Sequence, residues 1–305
     1  MKDTVKIGSV VLGVAVLLAC ASAGQAAAMS EYFNGYGASN IPIVASFNSY
    51  GLSGGTGWPT AWERGASYGA DAEYPQYLAG QSLGSPATTG YFNTGNNAGT
   101  NDGAMGQPID GTNRDDRRVA RATGALAGTV WMSAVIQFNS TEWLPMQITL
   151  DTPSPGWPAI TNLLRIENRG NAGNPIAWLT YDSTAYTLPW SAAKELVENT
   201  PYLVMMKIAM DSSGSSDDLS IWINPSDVST EAAMGTADFA VSGADAFGTT
   251  FDYIGYGARS GNMLDAIRIS NDAGAFDFVT GIPEPATLGL LVVGAVGLLL
   301  RRRRS

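Results

Sequence analysis

The sequence predicts an all-β fold, an antiparallel β-sandwich, on three observations. Apolar residues recur with period two in its clearest segments, and clusters of Gly, Asn, Ser and Pro punctuate them. Only one short stretch, "SAAKELVEN" (191–199), has a helical pattern. Successive side chains of a strand point to opposite faces, so period two marks a sheet with a buried face. In chain order, "VWMSAVIQFN" aligns Val130, Met132, Ala134, Ile136 and Phe138 on one face, and "MQITL" aligns Met146, Ile148 and Leu150. "LLRIEN" and "IAWLTYD" are shorter runs of the same kind. "YLVMMKIAM" aligns Tyr202, Val204, Met206, Ile208 and Met210, and "LSIWINP" aligns Leu219, Ile221 and Ile223. The polar "DSSGSSDD" between these two reads as a hairpin loop. "FDYIGYG" and "LDAIRIS" close the series. No repeat or linker splits the chain, so one sandwich domain is expected over residues 29–281.

The two ends read differently. Lys2 and Lys6 precede the apolar "IGSVVLGVAVLLA" and the small-residue stretch "CASAGQAAAMS". That is the three-part layout of a secretory signal peptide over residues 1–28, with Ala26 and Ala28 framing the cleavage site and Met29 starting the mature chain. "VLLAC" also reads as a lipobox, which would make Cys20 a lipidated first residue. At the other end, the fifteen residues from Ala286 to Leu300 carry no charge, and Arg301, Arg302, Arg303 and Arg304 follow. Such a helix spans about 22 Å, short of a hydrocarbon core of roughly 30 Å. Four arginines hold their end in the cytoplasm, leaving the body outside. The expectation is a transient stop during export.

Without these ends the chain loses Asp3, Glu284, Lys2, Lys6 and the four terminal arginines, and its formal charge moves from −10 to about −14. An acidic body of this kind argues against nucleic-acid binding and against adhesion to anionic lipid. Histidine is absent, and Cys20 is the single cysteine. This excludes Ser-His-Asp and Cys-His catalysis, His-ligated haem and structural zinc.

Pro283-Glu284-Pro285, an apolar helix over 286–300 and a terminal arginine cluster stand in that order within residues 282–305. Together they resemble the PEP-CTERM sorting signal of Gram-negative bacteria. The resemblance implies recognition by an exosortase, a membrane-embedded cysteine protease-like enzyme, removal of the tail at or near the motif, and company with exopolysaccharide production. An ordinary single-pass anchor with a stiff Pro-Glu-Pro stalk is the other reading. "FNSYGLSGGTGWPTAW" (47–62) resembles the opening of bacterial surface proteins with a LamG-like, concanavalin A-like jelly roll. The hairpin at 202–225 and "FDYIGYGARSGNMLDAIRIS" resemble the closing strands of the same group. That resemblance implies two antiparallel sheets and, in many members, carbohydrate binding.

Three sets of residues are candidates for chemistry. Glycosidases of the concanavalin-like fold carry a Glu-x-Asp-x-x-Glu pattern, which is absent; Glu142, Glu167, Glu195, Glu198 and Glu231 are scattered. In "NNAGTNDGAMGQPIDGTNRDDRR" the oxygen-bearing Asp110, Asn113 and Asp115 suit calcium, although Arg114, Arg117 and Arg118 compete for the same carboxylates, and a salt-bridged surface loop is the plainer reading. No other metal or cofactor is expected. Trp58, Trp62, Trp143 and Trp157 lie in Gly- or Pro-rich loops, where aromatic rings can serve the C–H faces of a sugar. Trp131 and Trp222 alternate within strands and read as core.

The expected protein is therefore exported through the Sec translocon, cleaved by signal peptidase, passed through the inner membrane to an exosortase, and placed at the cell surface or in the extracellular matrix. There it would act as a non-catalytic, lectin-like partner of exopolysaccharide. A secreted polysaccharide hydrolase and a passive coat protein are the alternatives.

Overall fold

The computed structural model of the chain describes residues 28–33, 36, 39, 41–42, 55–64, 76–79, 81–83, 86, 88–91, 103–106, 119–138, 144–150, 163–168, 175–181, 184–188, 197, 199–213, 216–244, 249–258 and 261–281. Its strands are β1 (Ala28–Glu31), β2 (Ile41–Pro42), β3 (Glu63–Arg64), β4 (Gln76–Ala79), β5 (Gly103–Gly106), β6 (Val119–Ala127), β7 (Thr129–Gln137) and β8 (Leu144–Leu150). They continue as β9 (Leu163–Asn168), β10 (Pro175–Tyr181), β11 (Thr184–Leu188), β12 (Pro201–Ala209), β13 (Asp217–Ile223), β14 (Phe239–Ala244), β15 (Thr250–Ala258) and β16 (Met263–Ser270). One helix, α1 (Ala275–Thr280), and a 3-10 turn at Ala232–Met234 complete the described elements. Every segment whose alternation predicts a strand is one. The helical pattern at 191–199 lies outside the described residues, apart from Val197 and Asn199.

The strands form two antiparallel sheets. One runs β14-β13-β12-β7-β16-β5-β4-β2, with β1 also on β16; the other runs β11-β10-β9-β8-β15-β6-β3. After β7 the chain leaves the first sheet, lays down β8 to β11 in the second, and returns to pair β12 directly with β7. β16 sits at the centre of the first sheet, with β7 on one side and β5 and β1 end to end on the other.

The period-two faces form the core between the sheets. Val130, Met132, Ala134 and Ile136 of β7, Val204, Met206 and Ile208 of β12, and Leu219, Ile221 and Ile223 of β13 pack there with Val119, Leu126, Ile254 and Tyr256 of the second sheet. Each Val, Leu, Ile or Met side chain among them contributes about 1.5–3 kcal/mol by leaving water. The opposite faces of the same strands are buried as well. Trp131, Val135, Leu203, Met205 and Trp222 form a second cluster on the outer face of the first sheet. Leu83, Tyr91, Val228, Met234 and, from α1, Ala275 and Val279 cover them. Alternation predicts one buried face; loops and a helix cover the other.

Two local features place functional groups. Between Asp265 and Arg268 the β16–β7 register shifts, with Ala266 at φ 49° and its N–H donating to Asp265 Oδ1 (2.7 Å). Asp265 faces the outer cluster by alternation from Leu264, and the extra residue keeps Arg268 and Ser270 on that same side while turning Ile267 and Ile269 to the inner one. The second feature is the segment 55–57, which bridges β1 through reciprocal bonds between Ser30 and Thr56 (3.0 and 2.9 Å). Gly57 has φ +82°, and a Cβ there would lie 2.2 Å from Ala28 O. Gly57→Ala is expected to lower stability by about 2 kcal/mol or more, combining left-handed strain with displacement of β1. A urea titration would read this as a lower midpoint at unchanged slope; an unchanged midpoint would show that 55–57 does not bear on β1.

The stretch 96–118, read from sequence as a polar loop, contains β5, "GAMG", all four residues buried. A Cβ on Gly103 would meet the Tyr77 ring at 2.3 Å, so glycine permits a strand approach that hydropathy does not signal.

Candidate functional site

Three places bring functional groups together. The first is inside the sandwich. Glu31 of β1 and Arg121 of β6 join the two sheets through an ion pair, Arg121 Nη1 to Glu31 Oε2 at 2.5 Å, with side chains 1% and 2% exposed. Glu31 also accepts from Phe33 N–H (2.9 Å) and Tyr36 O–H (3.0 Å), and Arg121 Nε donates to Thr60 O (2.7 Å). Burial pushes the Arg121 pKa down, opposed by the Glu31 carboxylate beside it. Trp58 lies under the guanidinium, 4.7 Å from carbon to ring centroid, and its indole N–H donates to Ser30 O (2.9 Å). Trp62 is buried, stacked on Phe33 at 6.2 Å and 6.3 Å from Trp58. Of the tryptophans singled out as sugar platforms, Trp62 is thus in the core and Trp58 is half-buried beneath an arginine. Trp143 and Trp157 lie outside the described residues, as do Asp110, Asn113 and Asp115. Among the described residues no group of three or more His, Cys, Asp or Glu is placed to hold a metal ion.

The second place is an open groove of about 440 Å³ on the outer face of the first sheet. Register builds it. Trp131 of β7 stands opposite Lys207 of β12 and Ser270 of β16, so all three project from the same face. Trp131 stacks on Trp222 (5.9 Å, 22°) and takes the edge of Phe276 from α1 (5.0 Å, 75°). The Lys207 ammonium lies 5.3 Å from the Trp131 ring and pairs with Glu231 at 2.6 Å. This pair is 30% and 50% exposed, so it orients the groove wall and contributes little stability, about 0–1 kcal/mol. From the turn between β16 and α1 come Asn271 and Asp272. Asp272 Oδ1 accepts from Gly274 N–H (2.9 Å). Asn271 Nδ2 donates to Ala127 O (3.2 Å), while its buried Oδ1 has no hydrogen-bond partner among the described residues. The groove therefore offers aromatic edges, an ammonium, an amide and two carboxylates. The sequence reads Trp131 as core, and it is buried at 4% exposed, in the outer cluster; Glu231 reads there only as one of several scattered glutamates. Nothing local signals that they meet.

The third is the junction with the tail. α1 is pinned to the first sheet by Ser133 Oγ and Arg268 Nη1, which both donate to Val279 O (2.6 and 3.1 Å). Gly281, at φ 75°, closes the helix in the left-handed conformation. Residues 281–304 match the family model of the PEP-CTERM protein-sorting motif. The chain carries that sorting motif. It begins at the glycine that ends the last helix of the sandwich. The motif implies export, membrane-anchored sorting and an exosortase as processing partner. Pro283, Glu284, Pro285 and Arg301 to Arg304 lie outside the described residues, as does Ala26. Among the described residues no helix is long and apolar enough to cross a membrane. Ala28 opens β1, paired with Ser270, so the expected signal-cleavage bond lies within that strand and would leave Met29, wholly buried, at its start.

No curated protein matches the chain in sequence. Among solved structures, a glycosyl hydrolase family protein from Mycobacterium fortuitum is similar at 16% identity over 79% of this chain and 97% of its own, with TM-score 0.39. An endo-β-1,4-glucuronan lyase from Trichoderma reesei is similar at 9% identity over 70% and 96%, with TM-score 0.39. Sheep galectin-11, solved with glycerol, is similar at 8% identity over 49% and 95%, with TM-score 0.35. No residue role is carried over from these proteins.

Proposed function

We propose that this is an exported, non-catalytic, lectin-like jelly-roll protein, separated from its sorting tail by an exosortase and associated with extracellular polysaccharide. The observation that carries this reading is the PEP-CTERM motif at 281–304, joined without a spacer to the capped helix of a β-sandwich. In this reading a signal peptide over residues 1–28 brings the chain to the Sec translocon and signal peptidase. The apolar helix over 286–300 holds it in the inner membrane until the exosortase acts. The body then passes to the cell surface or matrix, and its acidic charge keeps it soluble there.

Two epitope tags test the sorting step, one at Ser213 in the exposed β12–β13 loop and one after Ser305. Surface fractions are expected to contain the loop tag without the terminal tag. In cells lacking the exosortase, both tags are expected in the membrane fraction. A surface protein that keeps its terminal tag would instead be anchored by the tail. A second reading, polysaccharide hydrolysis, draws on Glu231 and Asp272 lining one groove. Sugar released by the wild type and lost in Glu231→Gln would put that reading in place of the non-catalytic one.

A further inference from the structure

We propose that the groove between β7, β12 and α1 is the saccharide-binding site, and that it takes an uncharged hexose unit of a polysaccharide. This rests on the lectin-like reading above. It assigns the site to the outer face of the nine-stranded sheet, away from the loop tryptophans that the sequence suggests.

The groove meets the chemical needs of a sugar in three respects. A pyranose presents C–H faces together with hydroxyls that both donate and accept. The half-buried Phe276 ring, set nearly perpendicular (75°) on the buried Trp131, supplies aromatic surface for the C–H face. Around it stand a cationic donor, Lys207, and the acceptors Glu231 and Asp272. An apolar ligand would take water from the Lys207 ammonium and the Glu231 and Asp272 carboxylates and offer them no bond in return.

Charge selects the class of sugar. Glu231 already neutralises Lys207 at 2.6 Å, and Asp272 leaves the groove with an excess negative charge. The body around it is strongly acidic. A polyuronate would bring its carboxylates against both, whereas an uncharged hexose meets no such repulsion. Access is compatible with a polymer, because the groove is open along the surface and lies within the roughly 300–1,000 Å³ typical of small-ligand sites.

The test is affinity electrophoresis of the full chain in mild detergent, through gels containing dextran, galactomannan or polygalacturonate. The wild type is expected to be retarded by at least one neutral polymer and not by polygalacturonate. Asp272→Asn keeps the acceptor for Gly274 but removes the charge, and Phe276→Leu keeps apolar packing but removes the ring. Each is expected to weaken retardation about tenfold, with an unchanged thermal melt. Wild-type retardation by a neutral polymer that both variants retain would place the site elsewhere, overturning this assignment and leaving the lectin-like reading intact. Retardation by polygalacturonate alone would overturn the choice of sugar class. No retardation by any polymer would overturn both the assignment and the lectin-like reading.

Discussion

Glu31→Gln is expected to cost about 3–5 kcal/mol of folding stability. The reason is what remains. Arg121 is 2% exposed, and without its carboxylate it keeps a full charge between two sheets, against Thr60 O and the Trp58 ring. Phe33 N–H and Tyr36 O–H donate to different carboxylate oxygens, and a glutamine has only one oxygen, so one of those two bonds is lost as well. The urea midpoint reports the effect, with the slope unchanged if the native state stays compact. Adding Arg121→Met removes the stranded charge and should restore a substantial part of the loss, because a buried pair replaced as a whole is often close to neutral. A Glu31→Gln midpoint within experimental error of wild type would mean that water reaches the pair.

Alkaline pH provides the second large effect. Burial raises Tyr91 from 10.0 to about 12, with the Arg268 cation opposing part of the rise. Tyr256, in the core between the sheets, is raised well above 10.0 by burial alone. In both, the folded state holds its proton more tightly than the unfolded state. Stability is therefore intact below about pH 10 and falls as pH rises above it, since there the unfolded chain has released protons that the folded chain retains. Tyr91 alone accounts for about 3 kcal/mol lost between pH 10 and its folded value near 12. Urea midpoints from about pH 9 to about pH 11.5 should decline steeply, and Tyr91→Phe should flatten that decline. An equally steep decline in Tyr91→Phe and Tyr256→Phe would place its origin in other groups.

Much of the fold is legible because strand alternation is a local property. Val130 to Phe138 and Tyr202 to Met210 announce their inner faces through every second residue, and those residues do line the core. Where a strand has no side-chain pattern, the sequence is silent. "GAMG" reads as part of a polar loop, yet Gly103 lets the strand lie against Tyr77 and Gly106 lets it approach Asn262 O. The bulge that re-aims Arg268 shows in "LDAIRIS" only as the adjacent apolar pair Ala266-Ile267, where the apolar positions change parity, a signal too slight to separate from a short alternating run. Trp131 illustrates the same limit at the candidate site. Its place in a strand is evident, but that it faces outward beside Lys207 depends on which strand pairs with β7, and that partner begins more than 60 residues later.

By itself the sequence determined the β class, the strand segments, the acidic histidine-free body and the sorting motif at its end. Each of these is written in neighbouring residues, whether as period-two hydropathy, as composition or as an ordered motif. The tertiary structure alone decided that both faces of β7 are covered, that Glu31 meets Arg121 across the two sheets, and that Trp131, Lys207, Glu231, Asp272 and Phe276 share one groove. Those outcomes rest on register and on strand order between distant segments. The free energy of closing long loops and burying apolar faces selects that order, and no short stretch of sequence contains it.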